Sequence, residues 1–201
     1  LALDGFEAAA KSNGAWRGAG RRRHKIEHIE AIAIGDAGRF RRLDVSASFQ
    51  PLHANPEPGW IGAWVANLGP ERTERGFAWA LVQRAGGRVV FGSDFPVVTI
   101  DPWQGLQMAV ARQYVGADGK PRPPGGWIPA QRLTLEQSLA AYTLNVAAAL
   151  NREGDEGSIE VGRRADFVLV DRDLAATPPL ELARTKVLYT IVGGRTAYEA
   201  R

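Results

Sequence analysis

The sequence predicts an α/β chain in which about three strand-then-helix units form a parallel sheet under helical cover, followed by a mainly β tail. Three observations predict it. Short strand-like stretches, KIEH (25–28), SASFQ (46–50) and RVVFGSD (88–94), each precede a segment whose apolar residues recur at helical spacing. From about Gly154 that helical spacing stops. In the tail FVLV (167–170) is a dense β run, and Gly193-Gly194 stands between Tyr189–Val192 and Arg195–Tyr198 as a hairpin turn. A boundary is placed near residue 152, which separates an α/β part over 1–152 from a β-rich part over 153–201.

The chain opens LALDGFEAAAKSNG, where Leu3, Phe6 and Ala10 share a helical face. No capping residue or initiator methionine precedes them, so further polypeptide upstream is expected. Gly14–Gly20 reads as a loop leading into RRRHKIEH. Asp36 is placed to cap a short helix ending near Leu43. Val45, Ala47 and Phe49 alternate with small polar residues, a strand pattern stopped by Pro51. HANPEPGWIG (53–62) is rich in turn formers and reads as a loop. ERTERGFAWALVQRAGG (71–87) reads as one helix, with Phe77, Leu81 and Ala85 on a face and Gly86-Gly87 ending it. A further helix follows the third strand, opened by Asp101 with Pro102 in its first turn. DGKPRPPGGW (118–127) is a proline-rich excursion. TLEQSLAAYTLNVAAALN (134–151) carries a capping box, Thr134 with Gln137, and is expected to be the longest helix.

Composition removes several classes. With 45% hydrophobic residues the chain suits a folded globule rather than a disordered one. A net charge of +3 is too small for a dedicated nucleic-acid binder, although RRRHK and Arg39, Arg41 and Arg42 cluster locally. No apolar run approaches the roughly 18 residues of a membrane span. With 0 cysteines there are neither disulfides nor thiolate ligands, and a cytoplasmic chain is the default expectation.

The chemistry-bearing residues fall at the strand ends. KIEH ends at His28, SASFQPLH passes through Gln50 to His53, and VVFGSD ends at Asp94. In an α/β barrel the C-terminal strand ends form the active-site face. His24 and His28, four apart, would also share a face on a helix, and on a strand the period of two keeps them on one side as well. Spacing alone therefore leaves helix and strand open.

RRHKIEH, SASFQPLHAN, FGSDFPV, TLEQSLAAYTLNVAAAL and GSIEVGRRADFVLVDRDL, in this order, resemble the amidohydrolase superfamily. The similarity is to its amidohydrolase-3 branch, which includes metal-dependent deacylases, and it runs from Leu1 to about Tyr198. The resemblance implies the C-terminal portion of a (β/α)8 TIM-like barrel, with KIEH, SASFQ and VVFGSD as strands six to eight, followed by part of a small β-sandwich. It implies that His28 and Asp94 are metal ligands, that Asp94 also handles protons as the catalytic residue, and that His24 is not a ligand. Gln50 and His53 are the candidates for holding the substrate. The cofactor implied is a divalent metal, with zinc suited to imidazole and carboxylate donors. The substrate implied is a small-molecule amide, hydrolysed at a C–N bond other than a peptide bond, with no nucleic-acid or membrane partner.

The family's His-x-His pair, its further lysine or glutamate ligand and its strand-five histidine have no counterpart among the 3 histidines here. The expectation is a C-terminal part of a longer enzyme, inactive by itself, whose open sheet edges favour self-association. The alternative is a non-catalytic interaction module on the same scaffold. Deaminase or carbamoyl-hydrolase chemistry is the rival within the enzyme reading.

Overall fold

The computed structural model of the chain describes residues 1–14, 23–55 and 58–201, with residues 58–60 described by their backbone alone. The loop expected after Gly14, with Arg21 and Arg22, lies outside the described residues.

Helix α1 (Ala2–Asn13) buries Leu3 and packs Phe6 against the core, as its apolar spacing requires. Asp4 sits in its first turn and Lys11 in its last, each complementing the helix dipole. Strand β1 (Lys25–Ile26) follows, so the HKIEH stretch is not helical, and of it only Lys25 and Ile26, rather than KIEH as a whole, are strand. Helix α2 (Ala37–Leu43) starts where Asp36 was placed, but the Asp36 side chain does not cap it. A 3-10 turn at Ile34–Asp36 feeds the helix, and Arg39 takes the carboxylate at 2.8 Å. The same guanidinium reaches Asp4 at 2.6 Å and Glu7 at 3.0 Å, which ties α2 to α1.

Strands β2 (Ser46–Phe49) and β3 (Val89–Phe91) complete a parallel sheet in the order β1-β2-β3. Lys25 pairs with Ser46 and Ile26 with Ala47. Ala47, Ser48 and Phe49 pair with Val89, Val90 and Phe91. Pro51 stops β2 as expected, starting a 3-10 turn over Pro51–Ala54. The sheet's helix-facing side carries Ala47, Phe49, Val89 and Phe91, which join Phe40, Trp79, Val82 and Ala109 in one core. Trp79 is its centre, edge-on to Phe49 at 5.9 Å and to Phe91 at 5.6 Å.

Three helical expectations need correction. HANPEPGWIG is not all loop: α3 (Pro58–Leu68) begins at Pro58, a first-turn position where a missing N–H is harmless. The stretch 71–87 is not one helix. It holds α4 (Pro70–Thr73) and α5 (Trp79–Arg84), with Phe77 between them at φ 46. The break is imposed from outside: Gly76 bridges to Ala31, and the Phe77 N–H donates to the Glu30 carbonyl at 2.8 Å. Gly76 also lies under Trp64, where a Cβ would stand 2.4 Å from the ring. Gly86 and Gly87 end α5 as expected, donating to the carbonyls of Gln83 and Val82.

Helix α6 (Pro102–Ala111) is opened by Asp101, whose carboxylate accepts from the Trp103 N–H at 3.0 Å. The proline-rich excursion folds as a small antiparallel pair, β4 (Tyr114–Val115) and β5 (Pro121–Arg122). The third correction concerns 134–151. The Thr134–Gln137 capping box is present, with bonds of 2.9 and 3.2 Å. The helix is nevertheless split into α7 (Leu135–Tyr142) and α8 (Leu144–Ala149), both shorter than α1. Thr143 interrupts it at φ −126 and ψ −89, its hydroxyl donating back to the Leu139 carbonyl at 2.8 Å. Asn145 then fastens α8 to the sheet by donating to the Val89 carbonyl at 2.9 Å.

The tail forms an antiparallel sheet of β6 (Phe167–Val170), β7 (Val187–Val192) and β8 (Arg195–Glu199), turned at Gly193-Gly194 as expected. It is tied to the α/β part by a small apolar cluster in which Leu182, Val170 and Val187 meet Trp103 and Leu106 of α6. Phe167, Val168, Leu169 and Tyr198 remain largely exposed. No helix among the described residues is long and apolar enough to cross a membrane.

Candidate metal centre

The period of two along a strand sorts the parallel sheet into two faces. Ile26, Ala47, Phe49, Val89 and Phe91 have one parity and enter the core. Lys25 and Glu27, Ser48 and Gln50, and Val90, Gly92 and Asp94 have the other, and all line a cavity of about 310 Å³. His28 has the core-side parity yet lines the same cavity. Its backbone explains this. The chain leaves β1 with His28 at φ 55, and the Glu30 N–H folds back onto the His28 carbonyl at 2.7 Å. Asp94, just past β3, is likewise left-handed at φ 59. Histidine and aspartate are among the few residue types enriched in that region.

These local turns bring three side chains together. His28 Nε2 lies 3.8 Å and His53 Nε2 3.9 Å from Asp94 Oδ2. The two imidazoles stack in parallel with centroids 5.6 Å apart, and one donor atom from each of the three residues falls within 4.8 Å of the others. His53 is delivered by the 3-10 turn that Pro51 starts, with its N–H donating to the Gln50 carbonyl at 2.9 Å.

Both carboxylate–imidazole gaps are too wide for a hydrogen bond. His53 Nε2 is buried and has no hydrogen-bond partner among the described residues. Burial pushes the His53 pKa down, with His28 adding to it and Asp94 and Glu30 opposing. The shift favours the neutral ring, the form with a lone pair to give to a metal. An orphaned imidazole nitrogen, a second imidazole and a carboxylate fit a divalent cation. With bonds of about 2.0–2.1 Å a tetrahedral zinc ion holds its ligand atoms about 3.3–3.4 Å apart, so the pairs with Asp94 must close by about half an ångström and the widest pair by more.

Behind the donors stands a polar group that sequence reasoning passed over. Glu27 Oε1 pairs with Lys25 Nζ at 3.2 Å, and Glu27 Oε2 accepts from Gln50 Nε2 at 3.1 Å. Burial alone would raise the Glu27 carboxyl. Hydrogen bonds from Ser48, Lys25 and Gln50 outweigh it and hold the group below the ordinary carboxylate range. Parity with Lys25 was the available signal, hidden because Glu27 sits in a basic run. Of the expected site residues, His28 and Asp94 meet, Gln50 lines their cavity, and His53 joins the donors. His24 stands apart, stacked on Phe6 at 4.6 Å.

A parallel α/β sheet whose strand ends gather two imidazoles and a carboxylate is an arrangement able to hold a metal ion. The Amidohydrolase family model matches residues 1–198, and the chain belongs to that family. It is 30% identical over 199 residues to Protein LONG AFTER FAR-RED 3 of Arabidopsis thaliana, covering 98% of this chain and 32% of that protein. It is 30% identical over 203 residues to the N-substituted formamide deformylase of Arthrobacter pascens, covering 99% and 34%. An uncharacterized metal-dependent hydrolase from Pyrococcus furiosus superposes with a TM-score of 0.63 at 25% identity, over 90% of this chain and 31% of that one. The chain thus spans about a third of the length of the relatives it matches.

Proposed function

We propose that this chain supplies the His28, His53 and Asp94 side of the metal centre of an amidohydrolase acting on C–N bonds of small non-peptide amides. The observation that carries the reading is the meeting of three donors at the ends of three consecutive parallel strands. On this reading the chain is the share of a barrel that holds strands six to eight, and the tail sheet is part of a small β-sandwich. Zinc is the ion the donor set suits. Such an ion, when bound, lowers the pKa of a water and polarises a scissile carbonyl. Asp94, at the cavity mouth, accepts the proton of the attacking water and delivers it to the departing amine. His28 and His53 hold their nitrogens toward the same point, and Gln50 on the wall contacts the substrate. The formamide deformylase relative supports a small amide as substrate: the C–N bond breaks, the amine departs with the proton, and the acyl carbon keeps the oxygen of the attacking water and is released as a carboxylate.

Titration of the 201-residue chain with Co(II), followed by absorbance, tests the site. Donors held wider than a coordination sphere are expected to bind weakly, with the ion lost on dialysis and no amide hydrolysis by the chain alone. His28→Asn and Asp94→Asn should each abolish the cobalt spectrum. A spectrum unchanged in both variants refutes the site, and a stoichiometric, dialysis-resistant ion refutes the reading that further ligands are needed.

A further inference from the structure

The Glu27–Gln50 contact fixes which end of the Gln50 amide meets a ligand. An amide can turn either its oxygen or its NH2 toward a neighbour, and its neighbours decide which. Glu27, already paired with Lys25, offers only acceptors, so the amide must turn Nε2 toward it. Oε1 is then the end that faces away from Glu27, and it has no partner among the described residues. Gln50 is only 5% exposed, so what it presents is presented to the cavity it shares with His28 and Asp94. Nε2 keeps a second hydrogen, but the Glu27 carboxylate beside it opposes the approach of another electronegative atom. The cavity wall therefore offers a hydrogen-bond acceptor rather than a donor to a substrate carbonyl or carboxylate.

We propose that Glu27 is a positioning residue that locks Gln50 as an acceptor, and that the site therefore selects amides whose nitrogen still carries a hydrogen. Primary and N-monosubstituted amides satisfy Gln50 Oε1. N,N-disubstituted amides and esters leave it stripped of water and unpaired, the situation polar sites reject most strongly. This rests on the amidohydrolase reading for the kind of ligand, and on the Glu27–Gln50 geometry alone for the discrimination.

The test uses the 201-residue chain and a matched pair of probes, N-benzylformamide and N-benzyl-N-methylformamide, which differ by one N–H. Binding is followed by NMR at the Gln50 side-chain amide. In the wild type the Gln50 NH2 should exchange with solvent more slowly than that of an exposed glutamine. The N–H probe should bind about five- to tenfold more tightly than its methylated partner, the range one hydrogen bond provides. Glu27→Gln, which frees Gln50 to turn either way, should shrink the preference to about twofold. The wild-type arm does not depend on the variant folding. Equal binding of the two probes, binding of neither, or a freely exchanging Gln50 amide overturns the inference. Selective binding by a chain whose cobalt spectrum is unchanged in both His28→Asn and Asp94→Asn would instead sink the amidohydrolase reading and leave this inference standing.

Discussion

Arg112→Met asks whether a buried cation holds this fold or burdens it. Arg112 ends α6 with a left-handed backbone and is 0% exposed. Its guanidinium lies over Trp79 at 4.4 Å and over Trp127 at 5.0 Å. Nε donates to the Trp127 carbonyl at 2.7 Å and Nη1 to the Phe77 carbonyl at 3.4 Å. No carboxylate among the described residues pairs with it, and Nη2 has no partner among them. Burial, with Arg132 adding a like charge, pushes its pKa down to about 9 from an ordinary 12.5, which corresponds to about 5 kcal/mol against the charged form. Two desolvated cation–π contacts return up to about 2 kcal/mol each. A charged hydrogen bond returns about 1.5–3 kcal/mol more. The charge therefore roughly breaks even, and the balance is set by the carbonyls. Methionine fills much of the space but strands the Trp127 oxygen, and to a lesser degree that of Phe77, at about 1–3 kcal/mol per buried group. The expected result is a loss of about 2–4 kcal/mol, read as a lower urea midpoint at unchanged slope. A variant as stable as the wild type would refute the reasoning and show that the guanidinium is a net burden.

Other outcomes follow from single contacts. A Cβ at Gly105 would stand 2.1 Å from the Tyr142 hydroxyl, at the end of a rigid ring. Gly105→Ala should therefore destabilise by about 1–3 kcal/mol despite the better helix propensity of alanine, measurable in the same urea assay. Thr134→Ala removes one arm of the capping box and should cost about 1 kcal/mol, with amide exchange rising first at Gln137. Hydrogen bonds from Arg172 and from the Lys186 N–H hold the Asp171 carboxyl well below its ordinary 3.8. Its native form binds fewer protons than the unfolded chain, so its contribution is complete above pH 3.8 and fades only as the pH falls below it. Asp171→Asn should abolish that acid dependence of the tail sheet, as read by amide exchange.

Elements whose causes are local were legible in the sequence. The Thr134–Gln137 box, the Asp101-Pro102 opening, the Gly86-Gly87 stop and the Gly193-Gly194 turn each depend on a few neighbouring residues. The breaks at Phe77 and Thr143 were not legible. The first answers to Glu30 and Ala31, more than 40 positions away, and apolar spacing carries no record of such a partner. That His28 and Asp94 would come together was expected because strand ends are where an α/β sheet places its chemistry, and their side chains do meet. That His53 would share their point depended on the turn started at Pro51, and the pairing of Gln50 with Glu27 depended on strand register.

The left-handed backbone at His28 and Asp94 governs how any mutational survey of this protein should be interpreted. Alanine at either position would remove a donor and also ask a residue with a Cβ, and no polar side chain to help, to keep a conformation it disfavours. A collapse of function in an alanine scan would then mix chemistry with main-chain relaxation, and overstate the part played by the lost side chain. Asparagine tolerates the same geometry, so the difference between the asparagine and alanine replacements isolates how much of the arrangement is held by the main chain.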